Sequence, residues 1–175
     1  DELVEESFHR HAWRTINAPP AVVEVEKRYA KNLLLRYLHN ERVNQETQWK
    51  PAYFEAAFGK ACGEAECSLR APEPFRLEVE GGPVLFAGRI DRIDVHESKE
   101  RTARILDYKT SHVPEAKAVK DGRSLQLALY AMALEKLLMP GTECAEALFL
   151  SISKDERRRL TRAENWDTCA NLCAS

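Results

Sequence analysis

The chain has 175 residues, 44% hydrophobic and 31% charged, enough for one ordinary core in a soluble globular protein. A formal net charge of −2 excludes nucleic-acid binding driven by overall positive charge, so any such contact must rest on a local site. The longest apolar run, "LALYAMAL" (127–134), falls short of the roughly 20 residues of a membrane span, and no membrane partner is expected.

The opening residues, "DELVEESFHR", are polar and acidic, which is not the pattern of a secretory signal. There is no initiator methionine, and the chain is expected to be a fragment of something longer. Five cysteines (Cys62, Cys67, Cys144, Cys169 and Cys173) make an odd count without a CxxC pair. That argues against a disulfide framework and for free thiols in a reducing, cytoplasmic compartment.

Residues 1–16 and 21–43 read as helices, the second from Val22, Val25, Tyr29, Leu33 and Tyr37 at helical spacing. The prolines of "NAPPA" (17–21) separate them. A third helix is predicted over "PAYFEAAFGKA" (51–61), with Pro51 in its first turn and Phe54, Ala57, Phe58 and Ala61 on one face. Three strands follow: "FRLEVE" (75–80), "VLFAGRIDRIDV" (84–95) and "ARILDY" (103–108), joined by "GGP" and "ESKERT". Their short links predict an antiparallel meander. A loop (111–122), a helix (123–138) stopped by Pro140-Gly141 and a fourth strand (145–152) complete the core. The expected fold is α/β, a mixed sheet flanked by helices. It forms one domain, with a helical part at 1–48, a core at 49–152 and a tail at 153–175.

The end of the third predicted strand carries Asp107 and Lys109 on one face, because alternate strand residues point the same way. A hairpin from 95 to 103 sets Asp91 near Asp107. Two carboxylates on adjacent strands repel unless positive charge lies between them. Lys109 supplies part of it, and a divalent cation such as Mg²⁺, held by one or two carboxylates, waters and a substrate phosphate, supplies the rest. A backbone carbonyl near Tyr108 is a candidate further ligand. Strand parity leaves open whether Asp91 or Asp94 faces this site, since the two differ by an odd number of residues.

"GRIDRID" (88–94), "ILDYKT" (105–110), "GRSLQLALYA" (122–131) and "WKPAYFEAAFG" (49–59) resemble the PD-(D/E)XK nuclease superfamily, and within it the RecB/AddB-type nuclease domain of bacterial helicase–nucleases. The resemblance covers roughly residues 49–131. It implies a restriction-endonuclease-like fold and metal ions, Mg²⁺ or Mn²⁺, held by Asp91 and Asp107. Lys109 is then the motif lysine, Gln126 and Tyr130 the glutamine-tyrosine helix motif, and Glu55 a further catalytic and metal-binding acid. Asp94 is read as an ion-pair partner of Arg92 or Arg89. The activity implied is a metal-dependent deoxyribonuclease in DNA repair and recombination. It would be an exonuclease on single-stranded DNA ends, working beside a helicase domain or subunit.

Lys117, Lys120 and Arg123, near the start of the predicted helix, and the run "KDERRRLTR" (154–162) are candidates for touching the DNA backbone; the run reads equally as a solvated surface helix. Two family features lack counterparts. None of His9, His11 and His39 has the context of the upstream histidine ligand of RecB-type members. The ending "CANLCAS" lacks the cysteine trio of an iron–sulfur site, so no cluster is expected. The alternative is a catalytically weak or inactive module of the same fold, serving DNA binding or scaffolding.

Overall fold

The computed structural model describes residues 2–10, 18–43, 46–59, 67–110, 112–115, 117–118, 123–154 and 156–161. The chain divides into two compact units, Asp1–Gln45 and Glu46–Ser175. The first holds α1 (Glu2–Arg10) and α2 (Pro20–Val43). Lys27 Nζ ties the two helices by an ion pair to Glu5 at 2.7 Å. Cys62, Cys169, Cys173, His11 and Lys120 lie outside the described residues.

The second unit is built on a six-stranded mixed sheet. Its strands in chain order are β1 (Trp49–Phe58), β2 (Arg70–Ala71), β5 (Gly88–His96), β6 (Thr102–Lys109), β7 (Glu143–Ser151) and β8 (Arg157–Thr161). Across the sheet they run β2-β1-β5-β6-β7-β8. A separate two-stranded sheet pairs β3 (Phe75–Val79) with β4 (Gly82–Phe86). One helix, α3 (Gln126–Ala133), continues as a π-turn over Leu134–Leu138 and crosses from β6 to the parallel strand β7. Among the described residues no helix is long and apolar enough to cross a membrane.

This is the mixed α/β sheet that the sequence predicts, with several corrections to its elements. Residues 51–58 form a strand, not a helix. Aromatic residues at 49, 53, 54 and 58 favour a pleated surface, and the segment pairs with β5 along its length. Pro51 is tolerated because the register shifts by one residue between Pro51 and Tyr53, and because β2 pairs only with Ala57 and Phe58. The antiparallel meander therefore exists as β1-β5-β6, while the segment predicted to open it (75–80) is paired off into the β3–β4 hairpin. Helix α3 starts three residues later than predicted. The run 157–161, read from sequence as uncertain or helical, is strand β8.

The core lies between α3 and one face of the sheet. Ala103 and Ile105 of β6, Ala147 and Phe149 of β7, and Leu160 of β8 pack with Leu127, Ala128, Ala131 and Leu134. On the other face Leu106, Leu148 and Leu150 cluster with Tyr108. Burial on both faces explains why β6 reads as a near-continuous apolar run before its charged end. Cys144 is a buried free thiol, whereas Cys67 is disulfide-bonded, against the expectation of free thiols throughout.

Candidate active site

The register Arg92↔Leu106 and Ile93↔Ile105 continues to set Asp91 opposite Asp107, at the end of β6 where it runs beside β7. The backbone N–H of Tyr108 donates to Asp91 Oδ2 at 2.7 Å, so the Asp91 carboxylate reaches across to β6. At Tyr108 the backbone group engaged with the acid is thus the N–H, which the sequence did not point to.

Asp107 is 4% exposed. Its Oδ1 accepts from Gln126 Nε2 at 2.7 Å. Its Oδ2 lies 2.7 Å from Lys109 Nζ as an ion pair, yet this buried oxygen accepts no hydrogen bond of good geometry. Burial pushes the Asp107 carboxyl above the usual range, Lys109 pulls it back, and the negative charge of Asp91 pushes it up again. Lys109 Nζ also donates to Gln126 Oε1 at 2.9 Å and sits 5.3 Å from the centre of the Phe149 ring. Gln126, the first residue of α3, thus joins both charged side chains, which answers the question a polar residue poses in an apolar run.

Tyr130, one turn along, brings its hydroxyl to 3.4 Å from Gln126 Nε2. Its ring meets Phe58 edge to face with centroids 6.0 Å apart. Gly88 makes room for this: a Cβ there would lie 2.8 Å from Tyr130 Cε1 and 2.9 Å from Phe58 Cζ. The glycine of "GRID" is thus a packing requirement of the helix motif.

Glu55 stands on β1, not on a helix, and the pairs Phe54↔Arg92 and Ala56↔Ile90 set it opposite Asp91. Its φ of 53° is in the left-handed region, uncommon for a glutamate. Its Oε2 pairs with Arg89 Nε at 2.8 Å. The structure therefore brings together Asp91, Asp107, Lys109, Gln126 and Tyr130, and holds the Glu55 carboxylate on Arg89. Of the upstream histidines, His9 and His39 belong to the helical unit.

Asp94 points to the other face and is fully buried. Arg92 Nε donates to its Oδ1 at 2.5 Å, and Arg104 Nε to its Oδ2 at 2.9 Å. Arg104 also pairs with Glu46 and stacks 4.9 Å from the Trp49 ring centre. Arg92 Nη1 reaches Tyr108 Oη at 3.3 Å. Arg159 extends the network through Glu46 and Glu146. The parity left open by the sequence is resolved: Asp91 faces the site, and Asp94 is a structural ion-pair centre.

The donor set has the chemistry of a hard-metal site. Two carboxylates face each other across adjacent strands, and one of their buried oxygens accepts no hydrogen bond. Such a pair suits a hard cation that keeps several waters and takes further oxygens from substrate. Among the described residues no three Asp, Glu, His or Cys side chains converge into a metal cage. The two carboxylates fit a Mg²⁺-type ion.

A 99-residue stretch, 51% of the chain, is 38% identical to an ATP-dependent helicase/nuclease subunit of Desulfitobacterium hafniense, covering 7% of that protein. An ATP-dependent helicase/deoxyribonuclease subunit of Carboxydothermus hydrogenoformans is 41% identical over 90 residues, 46% of the chain and 8% of the relative. Its counterpart in Staphylococcus haemolyticus is 35% identical over 92 residues, 50% of the chain and 8% of the relative. The chain thus spans less than a tenth of these curated relatives. A family model described as the PD-(D/E)XK nuclease superfamily matches residues 1–172, nearly the whole length. On that match the chain belongs to the PD-(D/E)XK nuclease superfamily.

Proposed function

We propose that this chain is the nuclease domain of a DNA repair or recombination enzyme, cutting phosphodiester bonds with Mg²⁺ or Mn²⁺ held by Asp91 and Asp107. One observation carries the reading: the two carboxylates stand opposite each other on β5 and β6, with the Lys109 ammonium 2.7 Å from Asp107. A divalent ion at that pair supplies a Lewis acid for a phosphoryl oxygen and a bound water of lowered pKa.

The side chains do the rest. Asp107, clamped through Oδ1 by Gln126, would offer its Oδ2 to the ion. Lys109 offers a positive charge where negative charge develops on the phosphorus oxygens. Its bond to Gln126 limits its rotamers, so little ordering is left for the moment of reaction. Tyr130 braces Gln126 from one turn below. Glu55, one strand from Asp91, joins the ligand set if it exchanges Arg89 for the ion.

The names of the relatives support DNA as substrate and a helicase module as working partner. We take single-stranded ends, cut exonucleolytically, as the substrate form. The test is cleavage of labelled single-stranded DNA in Mg²⁺ or Mn²⁺, its loss with chelator, and its loss in Asp107→Ala and Lys109→Ala. A protein that binds the strand but does not cut it in either metal is the non-catalytic DNA-binding module instead.

A further inference from the structure

The rung of the sheet that carries the two carboxylates does not end with them. Asp107 stands beside Phe149 on β7, and Phe149 stands opposite Arg158 on β8. Partners across a ladder share a face, and Leu160, two residues on, lies in the core under α3. Arg158 therefore faces the side of Asp107 and Lys109. Neighbouring strands are about 4.8 Å apart, so two strands set its backbone roughly 10 Å from that of Asp107. Arg158 Nε is buried, and among the described residues it has no hydrogen-bond partner. A buried donor left unmade is costly. Arg159 next to it points the other way and is satisfied by Glu46 and Glu146.

A second cation comes from the turn between β7 and β8. Ser151 stands beside Lys109, its hydroxyl accepts from Lys154 N at 3.2 Å, and Lys154 Nζ lies 3.0 Å from Nδ1 and 3.1 Å from Nε2 of His112. His112 follows β6, so this contact joins the segments leaving β6 and β7 just beyond Lys109. No carboxylate among the described residues pairs with Lys154. An ammonium has three N–H donors, and the ring does not use them all.

We propose that Arg158 and Lys154 form a second phosphodiester subsite, which holds the phosphate adjoining the scissile one on a single DNA strand that crosses the sheet from β6 toward β8. It rests on the nuclease reading of Asp91 and Asp107. The chemistry matches: a guanidinium fork grips phosphate oxygens in pairs. The ammonium of Lys154 adds a point charge, steadied by His112. The net charge of −2 gives no general attraction for DNA, so such a local pair supplies the electrostatic grip.

The test measures affinity for a labelled single-stranded oligonucleotide by anisotropy, in chelator, over a range of salt. For a single strand, each phosphate that the protein no longer neutralises lowers the slope of log Kd against log salt by about 0.7. Arg158→Met, which keeps the stem and removes the charge, and Lys154→Ala should each lower the slope by part of that amount, and the two together by about 0.7. Arg158→Lys should recover part of it. In both charge-removing variants KM in Mg²⁺ should rise several-fold with kcat unchanged. Lys50→Ala, at the opposite end of β1, should leave the slope unchanged. If Arg158→Met fails to fold, the exposed Lys154 carries the test. Wild-type cleavage with unaltered slopes and KM in both variants overturns the subsite and leaves the nuclease reading standing. A fall in kcat without a change of slope also overturns it. A wild-type chain that neither binds nor cuts DNA removes both readings.

Discussion

Gln126 donates to Asp107 Oδ1 across 2.7 Å, from the first residue of α3 to the end of β6. The bond fixes the carboxylate from the side of the helix, while the carbonyl oxygen of the same amide accepts from Lys109 at 2.9 Å. One neutral side chain therefore positions both charged ones. Gln126→Ala should lower metal affinity or kcat by roughly 10–100-fold, the usual effect of removing a partner that orients a ligand. Mg²⁺ titration of activity measures this, and an unchanged Mg²⁺ dependence with unchanged kcat would remove Gln126 from the site.

Asp107 should make the metal-free protein less stable as pH rises. Burial holds its folded carboxyl above the ordinary range, and Lys109 offsets this only in part. Between the unfolded and folded pKa values the native state keeps a proton that the unfolded chain has lost. The number bound in the unfolded state minus that in the native state is then negative, and stability falls through this window. Urea unfolding at a series of pH values in chelator should show the fall, and Asp107→Asn should abolish it. A wild-type profile that is flat or rises there would contradict the burial argument.

Asp94→Ala should be among the most destabilising single changes in the sheet, costing about 3–5 kcal/mol, because it takes from the buried Arg92 and Arg104 the carboxylate that both share. Asp91→Ala should do the opposite, removing activity with little loss of stability. Denaturant midpoints and cleavage rates measured side by side separate the two acids of "GRIDRID". The reverse pattern would show that the faces have been assigned the wrong way round.

Gly88→Ala inserts a methyl 2.8 Å from Tyr130 Cε1 and 2.9 Å from Phe58 Cζ. Overpacking of this kind costs about 1–3 kcal/mol, and the ring that gives way carries the hydroxyl next to Gln126. The expected result is a lower midpoint together with a lower kcat. Adding Tyr130→Ala should restore part of the stability but not the activity.

Much of this was legible in the residues themselves. The runs 84–95 and 103–108, the second apolar up to Asp107, read as two adjacent strands, and a short polar link makes them antiparallel. The spacing of Gln126 and Tyr130 puts both on one helix face. Reading failed where two periods fit one segment: 51–61 has apolar residues at helical spacing and also the aromatic content of a strand. Tertiary pairing with β5 decided it, and Glu55 moved with it from helix to strand. Local pattern also carries no information on which strand a hairpin joins, which is why the segment at 75–79 pairs with 82–86 outside the main sheet.

By itself the sequence determined the kinds of groups and their order along the chain: two acids and a lysine at strand ends, then a glutamine and a tyrosine one helical turn apart. Those follow from the period of two in a strand and near four in a helix, which are local. Only the tertiary structure decided which acid faces the site, that Tyr108 N–H holds Asp91, that Gln126 spans Asp107 and Lys109, and that Arg158 shares their rung. These are relationships between residues far apart in the chain, set by register and by which face the core buries. A one-residue slip in register would have exchanged Asp91 with its neighbours and put the site on the wrong side of the sheet.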